Sequence, residues 1–366
     1  MNKKLVCKGI EYSYPLFLTD ATFGVVKSLD SIDIKNSQIN GIVVNTYHLL
    51  NNPSSKTIQS LGGIKKYMSY DGLVVTDSGG WQIFSLIHRN KKAGKITNDG
   101  VVFSYGNLKG TLFTPEDCID TQFEIGSDII ICLDDFTPPD VSKEKTHDTV
   151  LRTISWANRC KNQYEKNLEK YGFDKNNRPL LFAVVQGGNF IDERKFCIEK
   201  LLEIGFDGYG FGGYMIDENG NLDLEVSEKL AKLIPNQFFK FALGVGDPYQ
   251  VLKCLEYGWE LFDCTLPTRD ARHKRLYLFT SENLTKENIN DKSFFKYTYI
   301  GKDKYINSNE KISEFCDCYT CKNFSLGYLN HLFKINSVSA QRLASIHNLR
   351  FYSMLFERYK NLDKII

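Results

Sequence analysis

The sequence predicts an α/β protein, a (β/α)8 barrel with a small metal-binding subdomain toward its C-terminus. Three observations carry this expectation. Eight short apolar runs recur through residues 1–265. Most are continuously apolar rather than alternating, as suits parallel strands buried on both faces. Helix-like segments separate them, and eight such units over roughly 250 residues is the length of a barrel.

The runs lie at 15–19, 42–45, 73–76, 128–133, 180–185, 208–211, 239–243 and 259–262. Between them, Pro115 opens a helix with Glu116 and Asp117 in its first turn, where acidic groups oppose the helix dipole. Residues 146–171 form a long amphipathic stretch with Val150, Leu151, Ile154 and Ala157 on one side. Helices at 190–205, 224–234 and 247–257 complete the alternation. A doubly wound open sheet is the alternative, but no G-x-G-x-x-G follows the first run.

In a barrel the residues just after the strands share one rim. Here they are Asp77, Ser78, Gly79, Gly80 and Trp81, then Asp134 and Asp135, then Gln186, Gly187 and Gly188. Gly212 and Gly213 follow the sixth run, Gly244 to Asp247 the seventh, and Asp263 the eighth. Carboxylates and an amide suit the edge of a purine-like ring, the indole suits its face, and glycines give it clearance. Each has a plainer explanation: tight turns for the glycine pairs, a core plug for Trp81, helix caps for the aspartates. Their coincidence on one rim outweighs each singly. Carboxylates crowded in an apolar mouth push their pKa values apart, so one can serve as nucleophile and another as acid/base.

Composition narrows the classes. The 366 residues are 42% hydrophobic and 25% charged, with net charge +2, so overall electrostatics makes no case for nucleic acid. No apolar run reaches a membrane span, and MNKKLVCKGIEY lacks a signal-peptide core. Ten cysteines, seven of them scattered, suit a reducing, cytoplasmic setting. After Asp263, the segment RDARHKRLYLF carries five basic residues in seven (Arg269, Arg272, His273, Lys274, Arg275), a local place for phosphates. Residues 280–312 are polar and read as surface structure. Cys316, Cys318 and Cys321 form a C-x-C-x2-C cluster suited to one structural zinc ion, with His331 or His347 as fourth ligand. An aromatic-rich helix over 339–359 closes the chain.

Together these segments resemble the queuine tRNA-ribosyltransferase (tRNA-guanine transglycosylase) family, in its bacterial form, over nearly the whole chain. The resemblance rests on ATFGVVK (21–27), NTYHL (45–49), DSGGWQIFSL (77–86), VVQGG (184–188), LGVGDP (243–248), LFDCTLPTRDAR (261–272), CDCYTC (316–321) and RLASIHNLRFY (342–352). It implies a TIM barrel with a C-terminal zinc-binding subdomain: a catalytic barrel over 1–275, a zinc-binding insertion over 276–338, and a C-terminal helix over 339–366 that supplies a zinc ligand. By the same resemblance Asp263 is the nucleophile on C1′ of the wobble guanosine in G-U-N anticodons, and Asp77 the general acid/base. Asp134, Gln186 and the backbone of Gly213 hold the base, with Ser78 and Gly79 beside them and Trp81 stacked on it. Arg269 and Arg272 contact the anticodon loop of tRNA, and Cys316, Cys318, Cys321 and His347 bind the Zn2+. The expected assembly is a homodimer.

The chain departs from the bacterial pattern inside the pocket. FDECTP is LDDFTP here, Trp81 replaces Phe or Tyr, and GGLAVGE is GGYMIDE at 212–218. Bulk at Phe136 and Ile216, and the acid Glu218, favour the compact base 7-aminomethyl-7-deazaguanine (preQ1) over queuine. A non-catalytic partner subunit would lack part of the catalytic set, yet Asp77 and Asp263 are both present. Base exchange on DNA fits poorly with an intact TRDAR segment, and a sugar-cleaving barrel fits poorly with the glycine-rich, amide-bearing mouth.

Overall fold

A computed structural model of the chain describes residues 3–362 apart from 82–84, 86, 88, 89, 91, 105–108, 139, 140, 214–216, 218 and 219. Each of the eight expected runs forms a strand of one closed barrel. They are β1 (Leu16–Asp20), β2 (Gly41–Asn45), β3 (Leu73–Asp77), β4 (Ile129–Ile131), β5 (Leu180–Val185), β6 (Gly208–Phe211), β7 (Phe239–Ala242) and β8 (Leu261–Cys264). Neighbours in sequence are neighbours in the sheet, and β8 pairs in parallel with β1 to close it, Leu261 opposite Leu16 and Asp263 opposite Leu18.

Strand residues alternate between two cores. Leu16, Leu18, Val43, Leu73, Val75, Ile129, Ile131, Phe182, Val184, Phe241 and Leu261 fill the barrel interior. Phe17, Ile42, Val44, Val74, Ile130, Leu181 and Phe262 face the helices outside. The interior is packed rather than open: a Cβ on Gly208 would lie 2.6 Å from the ring of Phe182, so the glycine makes room for that ring.

The helices follow the sequence signals. Thr114 caps Pro115–Ile125 in a capping box with Asp117, and Pro115 sits in the first turn. Ser142 starts Lys143–Tyr171, whose inward face carries Val150, Thr153, Ala157, Cys160 and Tyr164. Leu151, expected on that face, is exposed instead. Helices Ile191–Ile204, Leu224–Leu233 and Pro248–Glu256 follow β5, β6 and β7. After β8 comes only the short helix Leu266–Arg272, and the outer face of β8 and β1 is covered by the long helix Val338–Leu362. Tyr352 lies 4.4 Å from the ring of Phe17, and Phe356 lies 5.6 Å from that of Phe262. This covering makes the C-terminal segment part of the barrel's outer layer.

Three small elements were not expected from sequence. The hairpin Leu5–Cys7 with Ile10–Tyr12 sends Leu5 and Cys7 into the interior cluster and closes the end of the barrel opposite the mouth. A three-stranded sheet, Gly94–Ile96, Val101–Phe103 and Leu112–Phe113, precedes the Pro115 helix. Arg275–Phe279, just ahead of the polar region, pairs antiparallel with Phe295–Tyr299 inside it; the first of these strands runs across the expected boundary at 275/276.

Candidate active site

The mouth is the continuation of the inward-facing rows. Two residues beyond Leu18, Val43, Val75, Val184 and Leu261 stand Asp20, Asn45, Asp77, Gln186 and Asp263, each at a strand exit. Four of the five come from adjacent strands, in the order β8, β1, β2, β3. The barrel therefore sets Asp263 and Asp77 on a rigid base, separated only by the strands that bear Asp20 and Asn45.

Asp263 accepts a hydrogen bond from the backbone N–H of Gly244 at 2.9 Å. Burial pushes its pKa up to about 7, against the pull of that N–H, and the charges of Asp77 and Asp20 add to the rise. Asp77 accepts from Asn45 Nδ2 at 2.7 Å, and its carbonyl accepts from Thr46 Oγ1 at 2.7 Å. One carboxylate is thus oriented by an amide and the other by a backbone amide, with no cation in either contact.

The second half of the mouth is a polar edge. Gln186, fully buried, donates from Nε2 to Asp134 Oδ2 at 2.6 Å and accepts at Oε1 from the backbone N–H of Thr137 at 3.3 Å. Ser78 donates to the other oxygen of Asp134 at 3.3 Å. Burial raises Asp134 to about 7; Gln186 and Ser78 oppose this, while Asp77 and Asp135 reinforce it. Gly79 turns the chain at φ +87, where a Cβ would meet Tyr47, and a Cβ on Gly80 would lie 2.7 Å from Asp134 Oδ1. Gly213, at φ +78, lies against Gln186 Oε1. Trp81 is 42% exposed at the rim, so its indole is available to a ligand rather than plugging the core.

Asp135 does not join this edge. Its carboxylate pairs with Arg152 and its N–H donates to Thr153 Oγ1 at 3.0 Å, so it ties the segment to the helix Lys143–Tyr171. Phe136 is buried beside it. Ile216 and Glu218, on which the size argument also rests, lie outside the described residues.

Arg269 and Arg272 sit in the last turn of Leu266–Arg272, three residues apart, on the short helix that follows the Asp263 strand. Arg272 has a buried Nη1 without a partner among the described residues, and Asp20 is the acid that acts on it. Arg275, counted with them in the basic run, is instead held by Asp270, 2.8 Å from Nε.

Away from the mouth, Cys316, Cys318, Cys321 and His347 converge, with ligand atoms within 4.8 Å of one another. His347 Nδ1 lies 3.2 Å from Cys321 Sγ and 3.8 Å from Cys318 Sγ. A tetrahedral zinc with bonds of about 2.0–2.3 Å has edges of roughly 3.5–3.8 Å, so the group fits such an ion. His347 Nε2 faces the Tyr277 carbonyl at 2.8 Å, which leaves Nδ1 as the ligand atom. His331 is exposed and outside the cluster. Arg350 grips Asp317, between two of the cysteines, at 2.5 and 3.0 Å.

A family model described as queuine tRNA-ribosyltransferase matches residues 4–362. The chain belongs to the queuine tRNA-ribosyltransferase family. A protein of that name from Thermoanaerobacter pseudethanolicus is 36% identical over 349 residues, 94% of this chain and 85% of its own length. One from Syntrophobacter fumaroxidans is 34% identical over 343 residues, 93% and 84% of the two chains. In this ribosyltransferase-family member, sequence reading had passed over Asp20 and Asn45. Asp20 lies one residue past the apolar run 15–19, and Asn45 is the polar last residue of the run 42–45, so neither stands out in an apolar pattern. The period-two row from each strand interior is the signal that finds both.

Proposed function

We propose that this chain, a tRNA-guanine transglycosylase of queuosine biosynthesis, exchanges the wobble guanine of G-U-N anticodons for preQ1 through a covalent intermediate on Asp263. The observation that carries the reading is the pair of strand-exit carboxylates, Asp263 and Asp77, on one rigid rim. The Asp263 carboxylate attacks C1′, the glycosidic bond breaks, and guanine leaves with the bonding electrons as Asp77 supplies a proton. The incoming 7-deazaguanine then gives its ring N–H proton to Asp77 and attacks C1′, and the Asp263 ester bond breaks. Two displacements retain the configuration at C1′.

Asp134, Gln186 and Gly213 hold the base edge, with Ser78 and Gly79 shaping that edge and Trp81 on its face. Arg269 and Arg272 hold the anticodon loop. The bulk of buried Phe136 supports preQ1 over queuine. The Cys316, Cys318, Cys321 and His347 set would hold Zn2+ as a structural ion, lending the subdomain its shape and taking no part in the exchange. Free cysteines throughout the chain suit the cytoplasm; among the described residues no helix is long and apolar enough to cross a membrane. The partly exposed aromatic cluster of Tyr319, Phe324 and Tyr328 suits the interface of a homodimer.

The test is label exchange: radiolabelled guanine and an unmodified G-U-N tRNA transcript, followed by competition with preQ1 and with queuine. Stronger competition by queuine would overturn the choice of base. Two further outcomes are expected. Asp263 must be ionised to attack, and its pKa is about 7, so kcat/KM should climb as pH rises through about 7. A flat profile from pH 5.5 to 8 would contradict this assignment. Gly80→Ala should push Asp134 aside and raise KM for guanine about tenfold or more while the KM for tRNA holds.

A further inference from the structure

Arg194 lies in the helix Ile191–Ile204, outside the barrel wall, and is fully buried. Its hydrogen bonds run to three backbone carbonyls: Nη1 to Val185 at 2.9 Å, Nε to Gly188 at 2.7 Å and Nη2 to Gly212 at 3.0 Å. No carboxylate of the described residues forms an ion pair with it. Burial accordingly lowers its pKa to about 9. A buried cation held by dipoles alone is costly, and an apolar side chain would fill the space with less penalty. The fold nevertheless accommodates it closely: a Cβ on Gly187 would fall 2.6 Å from Arg194 Cγ.

The three carbonyls explain what the guanidinium does. Val185 is the last residue of β5, Gly188 belongs to the loop after it, and Gly212 follows β6. Gln186 lies between the first two, and Gly213 follows the third. In a planar trans peptide the carbonyl and the N–H point in opposite directions. Pulling the Gly212 carbonyl outward to Arg194 therefore turns the Gly213 N–H the other way, toward the mouth. The Gly188 and Val185 contacts brace the chain on either side of Gln186. One fork of donors thus locks the two segments from which the base would be read. A lysine ammonium, a point charge on a flexible stem, cannot span three carbonyls in this fixed arrangement.

We propose that Arg194 is a positioning residue for base recognition, which aims the Gly213 N–H and the Gln186 amide at the ring carbonyl of the incoming 7-deazaguanine. This deepens the function proposed above and rests on its assignment of Gln186 and Gly213 to the base edge.

The experiment compares wild type, Arg194→Lys, Arg194→Gln and Gln186→Ala in the full chain. KM is measured separately for guanine and for tRNA, and guanine is compared with 2-aminopurine, which lacks the ring carbonyl, as a competitor. Both Arg194 variants should raise KM for guanine about tenfold and leave KM for tRNA within about twofold. They should also erase most of the wild-type preference for guanine over 2-aminopurine, a change that a merely structural role would not produce. Gln186→Ala separates the two levels. If it leaves KM for guanine unchanged, the base-edge assignment itself fails. If it raises that KM while the Arg194 variants do not, only the role of Arg194 fails. Equal losses for guanine, 2-aminopurine and tRNA would also overturn it. Arg194→Gln carries no charge to desolvate and should fold even if Arg194→Lys does not; if neither folds, Arg194 is framework and the proposal falls.

Discussion

Asp263→Asn is expected to reduce guanine exchange into tRNA by on the order of 10,000-fold or more, the scale of losing a covalent nucleophile. The amide is nearly isosteric and can keep the contact with Gly244 N–H, which wild-type Asp263 makes at 2.9 Å. The barrel should therefore remain folded and still bind tRNA. What should disappear is the anionic oxygen proposed to attack C1′, and with it any protein–RNA adduct that survives denaturation. The check is label incorporation beside a denaturing gel of enzyme mixed with tRNA. Exchange that persists in the variant would send the search to Asp77 and Asp134. An adduct lost while exchange continued would argue for direct displacement without a covalent stage.

Removing a ligand of the metal group should have the second-largest effect, on folding rather than chemistry. Cys318→Ser is expected to abolish stoichiometric zinc, measured by elemental analysis, and to lower the thermal midpoint sharply. Structural zinc contributes on the order of 10 kcal/mol in small domains that depend on it. Here the loss should be smaller, because part of the segment packs on the barrel without help from a metal. Thr320 donates to the Leu343 carbonyl at 2.7 Å, and Arg350 holds Asp317. His331→Ala, at an exposed position outside the cluster, should change neither zinc content nor midpoint. A zinc loss there, or full zinc in Cys318→Ser, would refute the assignment of ligands.

Much of the site could be read before the fold because its residues follow strands. An apolar run of four or five residues is legible wherever it is buried on both faces, and in a barrel its exit marks the rim. The rim positions of Asp77, Gln186 and Asp263 are legible this way. Elements of two or three residues, such as Leu5–Cys7 and Leu112–Phe113, have no period to display and were missed. Asp134 and Asp135 look alike in sequence, but Ser78 and Gln186 claim the first while Arg152 claims the second. Arg194 gave no signal at all, since a single arginine in an amphipathic helix reads as a solvated residue until its burial is known.

The order of the eight barrel strands and their main helices, the barrel class, most of the rim residues and the cysteine cluster are legible in the sequence alone. These depend on local apolar patterning and on short spacings along the chain. The folded chain shows which groups meet: Asp77 with Asn45, Asp134 with Gln186, and His347 with three cysteines far from it in sequence, a partner that spacing leaves open between His331 and His347 and that the family resemblance implies. The reason is geometric. Closing the barrel by pairing β8 with β1 brings Asp263 beside Asp20, some 240 residues earlier in the chain. No local property of either segment encodes that neighbour, and the pairing of strands does.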